Sequence, residues 1–338
     1  MDMGKYIIRR TLLGAVVLFG VVAITFGMTK AMPSDPTLLW VGIKATDEQI
    51  VAARAELGLD QPIAVQFGKY LSNLAKGDLG VSFKTKRPIM TELAEKIPAT
   101  VELVLFAMAF AIVVGIFLGI SSAKYKNKLA DHIVRVLSIG AVSLPSFWFA
   151  LALQLVFYGI LGLMPLGGRV STYVAITYEM PHTTGLLLFD SLIAGKFLIF
   201  KDALKHIILP SIPIAMYPIG MVARLTRSSL LEIMNEDYIT AARSYGIKER
   251  FVLWAYALKN SMGATVTVVA VIIGYSLVNT FLIESIFSWP GIGRYASDAI
   301  LSMDYPAIIG ITLFSALVFL SLNLIADLII AFDPRVRI

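Results

Sequence analysis

The chain has 338 residues, 57% of them hydrophobic, a mean hydropathy of +0.78 and a net charge of +6. That composition excludes an ordinary soluble domain, and cations spread among loops without an interleaved aromatic stripe argue against nucleic acid as a partner. With no cysteine, disulfides, thiol catalysis and thiolate metal sites are excluded as well.

A membrane span needs roughly 20 apolar residues. The first candidate runs from about Ile7 to Thr29, inside residues 1–29. Lys5, Arg9 and Arg10 lead into it, which predicts a cytoplasmic N-terminus. Its apolar core is too long for a signal peptide, so a retained span is expected. Residues 30–98 read as a small extracellular helical segment. Thr46 with Gln49 has the form of a capping box, and the helix it opens should end at Gly58. Pro62 starts a second helix, with Ile63, Phe67, Tyr70, Leu71 and Leu74 on one face. Pro88 starts a third, with Ile89, Leu93 and Ile97 aligned. Such a segment either packs on the membrane domain or meets an external binding protein.

The second span is expected from about Ala99 to Ala123. Glu102 lies near its outer end, where a carboxylate can snorkel to water. Gly115 and Gly119 form a GxxxG pair that permits close packing. The short basic loop Lys124–Lys128 is cytoplasmic by charge. A long third span, about Ile133 to Leu163, should break at Pro145, which cannot donate to the helix ladder. The apolar run Leu186 to Phe200, interrupted by Asp190 and Lys196, is short for a span and reads as interfacial. The fourth span runs from about His206 to Leu225 through Pro210, Pro213 and Pro218, with Arg224 and Arg227 at its inner end.

The polar stretch 235–261 follows, on the cytoplasmic side. Asn235 is expected to cap a helix in which Tyr238, Ala241, Ala242 and Tyr245 share a face. Gly246 ends it, and Ile247, Phe251, Trp254 and Leu258 make a stripe on a second helix. Periodicity alone fits either an amphipathic element on lipid headgroups or a docking element for a partner. The fifth span is expected from about Met262 to Ile283. Trp289-Pro-Gly-Ile-Gly293 then reads as a tight outer loop, with Trp289 at the membrane interface. The sixth, about Pro306 to Ala331, carries Asp327 near its inner end, where Arg335 or Arg337 of the basic tail 332–338 could pair with it. Six spans with both termini inside result.

No GxxxxGK[ST] loop is present, since Gly4-Lys5, Gly68-Lys69 and Gly195-Lys196 are each followed by Tyr or Phe. ATP hydrolysis is therefore not expected in this chain. His132, His182 and His206 are scattered, so no metal site is expected. Neither HExxH nor GxSxG occurs.

Asp237-Tyr238-x-x-Ala241-Ala242-Arg243-x-x-Gly246 with Leu258-Lys259-Asn260 resembles the coupling motif of ABC-importer permeases. Leu57–Pro62, Gly77–Phe83, Arg224–Ser229, Glu284–Gly293 and Asp333–Arg337 extend the likeness over nearly the whole chain. Together they resemble the B-type permease subunit of dipeptide, oligopeptide and nickel ABC importers. The resemblance implies an all-α polytopic membrane protein of the type I importer permease fold, with a five-helix core over 99–331. It implies a homologous C-type permease, two ATPase subunits carrying ATP and magnesium, an extracellular solute-binding protein and a multi-pass place in the cell membrane. Asp237, Tyr238, Ala241, Ala242, Arg243, Gly246, Ile247 and Phe251 would then form the ATPase contact. Tyr256 stands where the family often has histidine, and no Leu-Pro follows Asn260. Peptides lead as substrates, with oligosaccharides or nickel as alternatives; a proton-coupled transporter using Asp327 is the reading from another class.

Overall fold

A computed structural model describes the backbone of residues 3–31, 36–42 and 44–332. These residues form helices, with one isolated antiparallel bridge between Val81 and Pro88. Among the described residues, four helices are long and apolar enough to cross a bilayer: Ile8–Met28, Ile89–Lys124, Phe197–Ile233 and Tyr305–Ile325. Leu129–Ser143 and Ser146–Ile160, bent by 103° across Leu144 and Pro145, make a fifth if counted as one broken span. The chain is thus an all-helical, multi-pass membrane protein. The interruption expected at Pro145 is present. The expected pairing of Asp327 with Arg335 or Arg337 lies outside the described residues.

Two compact units arise: the chain through Pro98 together with Gly291–Leu324, and Ala99–Pro290 together with the chain from Ile325 onward. In the first, Thr46 caps the Asp47–Glu56 helix in a full capping box with Gln49. Gly58 takes φ +65° just beyond that helix, as a left-handed terminator must. Phe67 and Tyr70 of the Ile63–Ala75 helix meet Phe26 of the Met3–Ala31 helix, with ring centres 5.0 and 5.7 Å apart. Ile63 does not join that face; it lies on the first turn and stays exposed. Asp304 is buried and organises this unit. Its carboxylate accepts from Ser82 Oγ, from the Phe83 and Lys84 amides at 2.9 and 3.3 Å, and from the Ala307 amide at 3.4 Å. One side chain therefore caps the Tyr305–Phe332 helix and pins the loop before Pro88.

The third helix expected in the outer segment and the second span are one continuous helix, Ile89–Lys124. Pro98 removes a single donor without breaking it, and the unit boundary falls there instead. In the second unit this helix lies against Phe197–Ile233. A Cβ on Gly115 would sit 2.8 Å from Val222 Cβ, and one on Gly119 2.6 Å from Thr226 Cβ and 2.8 Å from the Ala223 carbonyl. The GxxxG pair is thus a true close-packing site. Gly119→Leu should cost at least about 1–3 kcal/mol through overpacking, whereas Gly140→Ala, where a Cβ has open space, should stay within about 0.5 kcal/mol. Thermal unfolding of the detergent-purified protein measures both, and equal melting temperatures would contradict the contact.

The fourth span begins earlier than its charge pattern suggests. Leu187–Ile193 is a separate seven-residue helix, too short to cross a bilayer. After Gly195, at φ +67°, one helix runs unbroken from Phe197 to Ile233 through three prolines. Trp289 is also placed differently from expectation. Its ring is 1% exposed, and its indole N–H donates to the Ala99 carbonyl at 2.8 Å. It fills a core with Phe287, Ile283, Leu103 and Leu209 rather than a membrane-interface position. An indole buried so deeply needs that acceptor.

Candidate functional site

Below the Phe197–Ile233 helix the chain makes a turn, a short helix, a second turn and a return helix. Asn235 is not the cap expected of it. Its backbone amide donates to Glu232 O, and its side-chain amide donates to Leu231 O at 3.0 Å, so it still closes the preceding helix. Glu236 occupies the cap position of the Asp237–Ser244 helix, without a side-chain capping bond. Asp237 is exposed in the first turn, where its charge complements the helix dipole.

The end of that helix is a Schellman turn. Ile247 N–H donates to Ala242 O at 3.2 Å and Gly246 N–H to Arg243 O at 2.9 Å. Gly246 has φ +76°, and a Cβ there would meet nothing within 4 Å. The corner is therefore conformationally demanding and open on its outer side. Arg243 closes it with an ion pair to Glu249 at 2.8 Å. The hydrogen bond from Arg243 holds the Glu249 carboxyl below the usual range. Both groups are well exposed, so the pair orients the corner more than it stabilises it.

The face expected to join Tyr238, Ala241, Ala242 and Tyr245 is divided. Ala242 is buried with Ile239 against Ile120, Ala123, Leu230, Val252, Leu253 and Ala257. Ile239, the larger apolar group one turn before Ala242, sets which face turns inward. Tyr238, Ala241, Arg243, Tyr245 and Gly246 remain exposed. The second stripe is divided too. Glu249–Phe251 passes into a π-helical stretch, Val252–Leu258, whose wider turn changes the angular spacing. Val252, Leu253 and Ala257 are buried, Ile247 and Leu258 are half-buried, and Phe251 and Trp254 point outward. Asn260 Nδ2 donates to Tyr238 Oη at 3.2 Å and ties the return helix to the first. The result is a rigid corner with an apolar inner side and an outer side of small, aromatic and charged groups.

Above it lies a clamp that sequence reasoning missed. Asp131 is fully buried. Its carboxylate accepts from Arg227 Nε and Nη2 at 2.8 and 2.9 Å, from Ser122 Oγ at 2.6 Å and from the Asn127 amide at 2.9 Å. Arg135 Nε lies 3.6 Å away. The bond joins the end of Ile89–Lys124, the start of Leu129–Ser143 and the end of Phe197–Ile233. An acid at the start of one predicted span and a base at the end of another were the available signals, but 96 residues separate them.

Two cavities adjoin the broken helix. One, of about 180 Å³, is lined by Ser146, Pro213, Tyr217, Tyr275, Ser276 and Asn279, among others. The other, of about 440 Å³, is lined by Arg135, Ser138, Val142, Gly220, Arg224 and Arg227, among others. At the far end of the unit, Glu102 is not a free carboxylate reaching water. It is buried, pairs with Arg169 at 2.6 Å and accepts from the Leu188 amide at 2.6 Å. It fastens the 164–193 segment to the long helix. Asp190 in that segment is held below the usual carboxylate range; burial pushes it up, but donation from Thr184 and Gly185 outweighs burial.

Long apolar helices, a cavity at a break between two of them, and a stiff polar corner continuous with a third define a membrane-embedded transport subunit. The family model for the binding-protein-dependent transport system inner membrane component matches residues 99–338. Its N-terminal companion matches residues 3–104. The chain belongs to this family. It is 39% identical over 333 residues to the probable D,D-dipeptide transport system permease protein DdpB of Escherichia coli (strain K12), covering 98% of this chain and 97% of that protein. It is 40% identical to the dipeptide transport system permease protein DppB of Alkalihalophilus pseudofirmus, covering 98% and 99% of the two chains. To the di/tripeptide transport system permease protein DppB of Pseudomonas aeruginosa it is 38% identical, covering 98% of each.

Proposed function

We propose that the chain is a permease subunit of an ATP-driven importer of di- and oligopeptides. The observation that carries this reading is likeness over 98% of the chain to permeases whose names specify dipeptides or di/tripeptides. In this reading it pairs with a homologous permease, two ATPase subunits hydrolyse ATP, and an extracellular binding protein delivers the peptide. The chain itself does no covalent chemistry and needs no cofactor. The 21-residue helix Lys259–Asn279 serves as a further span, making six with both termini cytoplasmic. Residues 30–98 then form an extracellular insertion, 99–331 the core and 332–338 the cytoplasmic tail.

The corner at Gly246 docks in a groove of the ATPase. Its outer surface consists of Asp237, Tyr238, Ala241, Arg243, Gly246 and Phe251. Ala242 and Ile247 support it from within. When the ATPases close, the corner moves with them. Because it continues directly into the Phe197–Ile233 and Lys259–Asn279 helices, these tilt and the path changes the side to which it opens. Energy enters only as a difference in ATPase contacts between the two states.

Reconstitution in proteoliposomes with the partner permease, ATPases and binding protein tests the reading. Uptake of labelled dipeptide should require ATP and persist in a protonophore. Uptake indifferent to ATP and abolished by the protonophore would overturn it.

A further inference from the structure

The two cavities follow one another along the Phe197–Ile233 helix, and they differ in electrical character. The first is bounded by Pro213–Pro218 and lined by uncharged groups, mostly apolar, among which Ser146, Tyr217, Tyr275, Ser276 and Asn279 are polar; Tyr217 and Tyr275 approach to 5.7 Å between ring centres. The second is bounded by Gly220–Arg227 and carries three guanidiniums and no carboxylate in its lining. Val142 lines both, and Ser143 and Leu144, consecutive at the break, line one each. The cavities are therefore neighbours at the interrupted helix. Pro213 and Arg227 lie about 21 Å apart along a helix rising 1.5 Å per residue, the length of an extended peptide of about six residues.

The charges in the second cavity do not balance. Asp131 takes Arg227 through two hydrogen bonds and has Arg135 at 3.6 Å, so one carboxylate answers two cations. Arg224 is exposed, and its guanidinium reaches the Met221 sulfur at 3.2 Å, a weak acceptor. A guanidinium set so at a cavity wall matches a carboxylate in a forked, two-bond geometry. We propose that this cavity receives the C-terminal carboxylate of the transported peptide and that Arg224 is the residue that reads it. The proposal rests on the peptide-import reading and adds to it a specificity-determining residue. The neutral cavity accommodates the rest of the chain through its tyrosines, serine hydroxyls and Asn279. Since Arg224 is exposed, the contact selects without trapping.

The test uses the complete reconstituted importer and one dipeptide in two forms, free acid and C-terminal amide, each presented on saturated binding protein. The readout is the acid-to-amide ratio of uptake rates, compared between the native chain and its variants on the same binding protein. Arg224→Gln is expected to lower that ratio at least about tenfold, the scale of an exposed, charge-assisted contact. Arg224→Lys keeps the charge but not the fork, and should retain only part of the preference. An unchanged ratio in Arg224→Gln overturns the proposal. So does an equal loss for acid and amide that appears only with phosphatidylglycerol in the vesicles, which would make a lipid headgroup the occupant. Loss of the partner permease on purification of Arg224→Gln would make Arg224 an interface residue and also overturn it. No ATP-driven uptake of either form by the native importer would instead reject the import reading itself.

Discussion

Gly246→Trp is expected to abolish coupled uptake while leaving the protein inserted. Gly246 sits at φ +76° with open space where a side chain would project. Tryptophan therefore adds bulk to the outer side of the corner, where the ATPase groove is proposed to lie. Loss of a central interface contact costs 2 kcal/mol or more, so uptake should fall at least about thirtyfold. Gly246→Ala separates backbone strain from bulk. It should cost about 1–2 kcal/mol of corner stability and reduce uptake far less. Measuring uptake beside ATPase activity in the reconstituted importer distinguishes blocked docking from misfolding. Native uptake by the tryptophan variant would remove the corner from the mechanism. Ala242→Arg cannot serve the same purpose. Ala242 lies inside the Ile239 and Leu230 cluster, and arginine there would bury a charge and disrupt folding first.

The second large effect is expected at the Asp131–Arg227 clamp. Arg227→Ala leaves a fully buried carboxylate with Arg135 as its remaining nearby cation. Breaking one side of a buried ion pair costs about 3–5 kcal/mol. Replacing both partners by apolar residues of similar volume, Asp131→Leu with Arg227→Met, should cost much less, because no buried charge is stranded. A double-mutant cycle on unfolding in detergent measures the coupling. Additive effects would show the clamp to be of no consequence. The clamp ties together three helix ends, those carrying Ser122, Asp131 and Arg227.

Local signals were legible where a few neighbouring residues decide the outcome. Thr46 and Gln49 announced their capping box, Gly58 and Gly246 their left-handed turns, and Pro145 the broken helix. Each depends on sterics or hydrogen bonds within about one turn of chain. The candidate corner was legible in outline for the same reason. Its inward face was not, because Ile239 outcompetes the alanines only once Leu230, Ile120 and Val252 are in place. Nor could the π-helical stretch after Phe251 be read from a period that assumes regular α-helix.

Hydropathy, the placement of proline and glycine, and the run of motifs along the chain by themselves determined that this is a helical, multi-pass membrane protein with a polar corner between two of its apolar runs. Those features act through solvent and through adjacent backbone, so they need no distant partner. Tertiary structure alone decided that Trp289 is core, that Glu102 holds the 164–193 segment to the long helix through Arg169, that Gly119 admits Thr226, and that Asp131 binds Arg227. In an apolar medium a polar group is governed by the partner it finds, and that partner is chosen by packing between segments far apart in the chain.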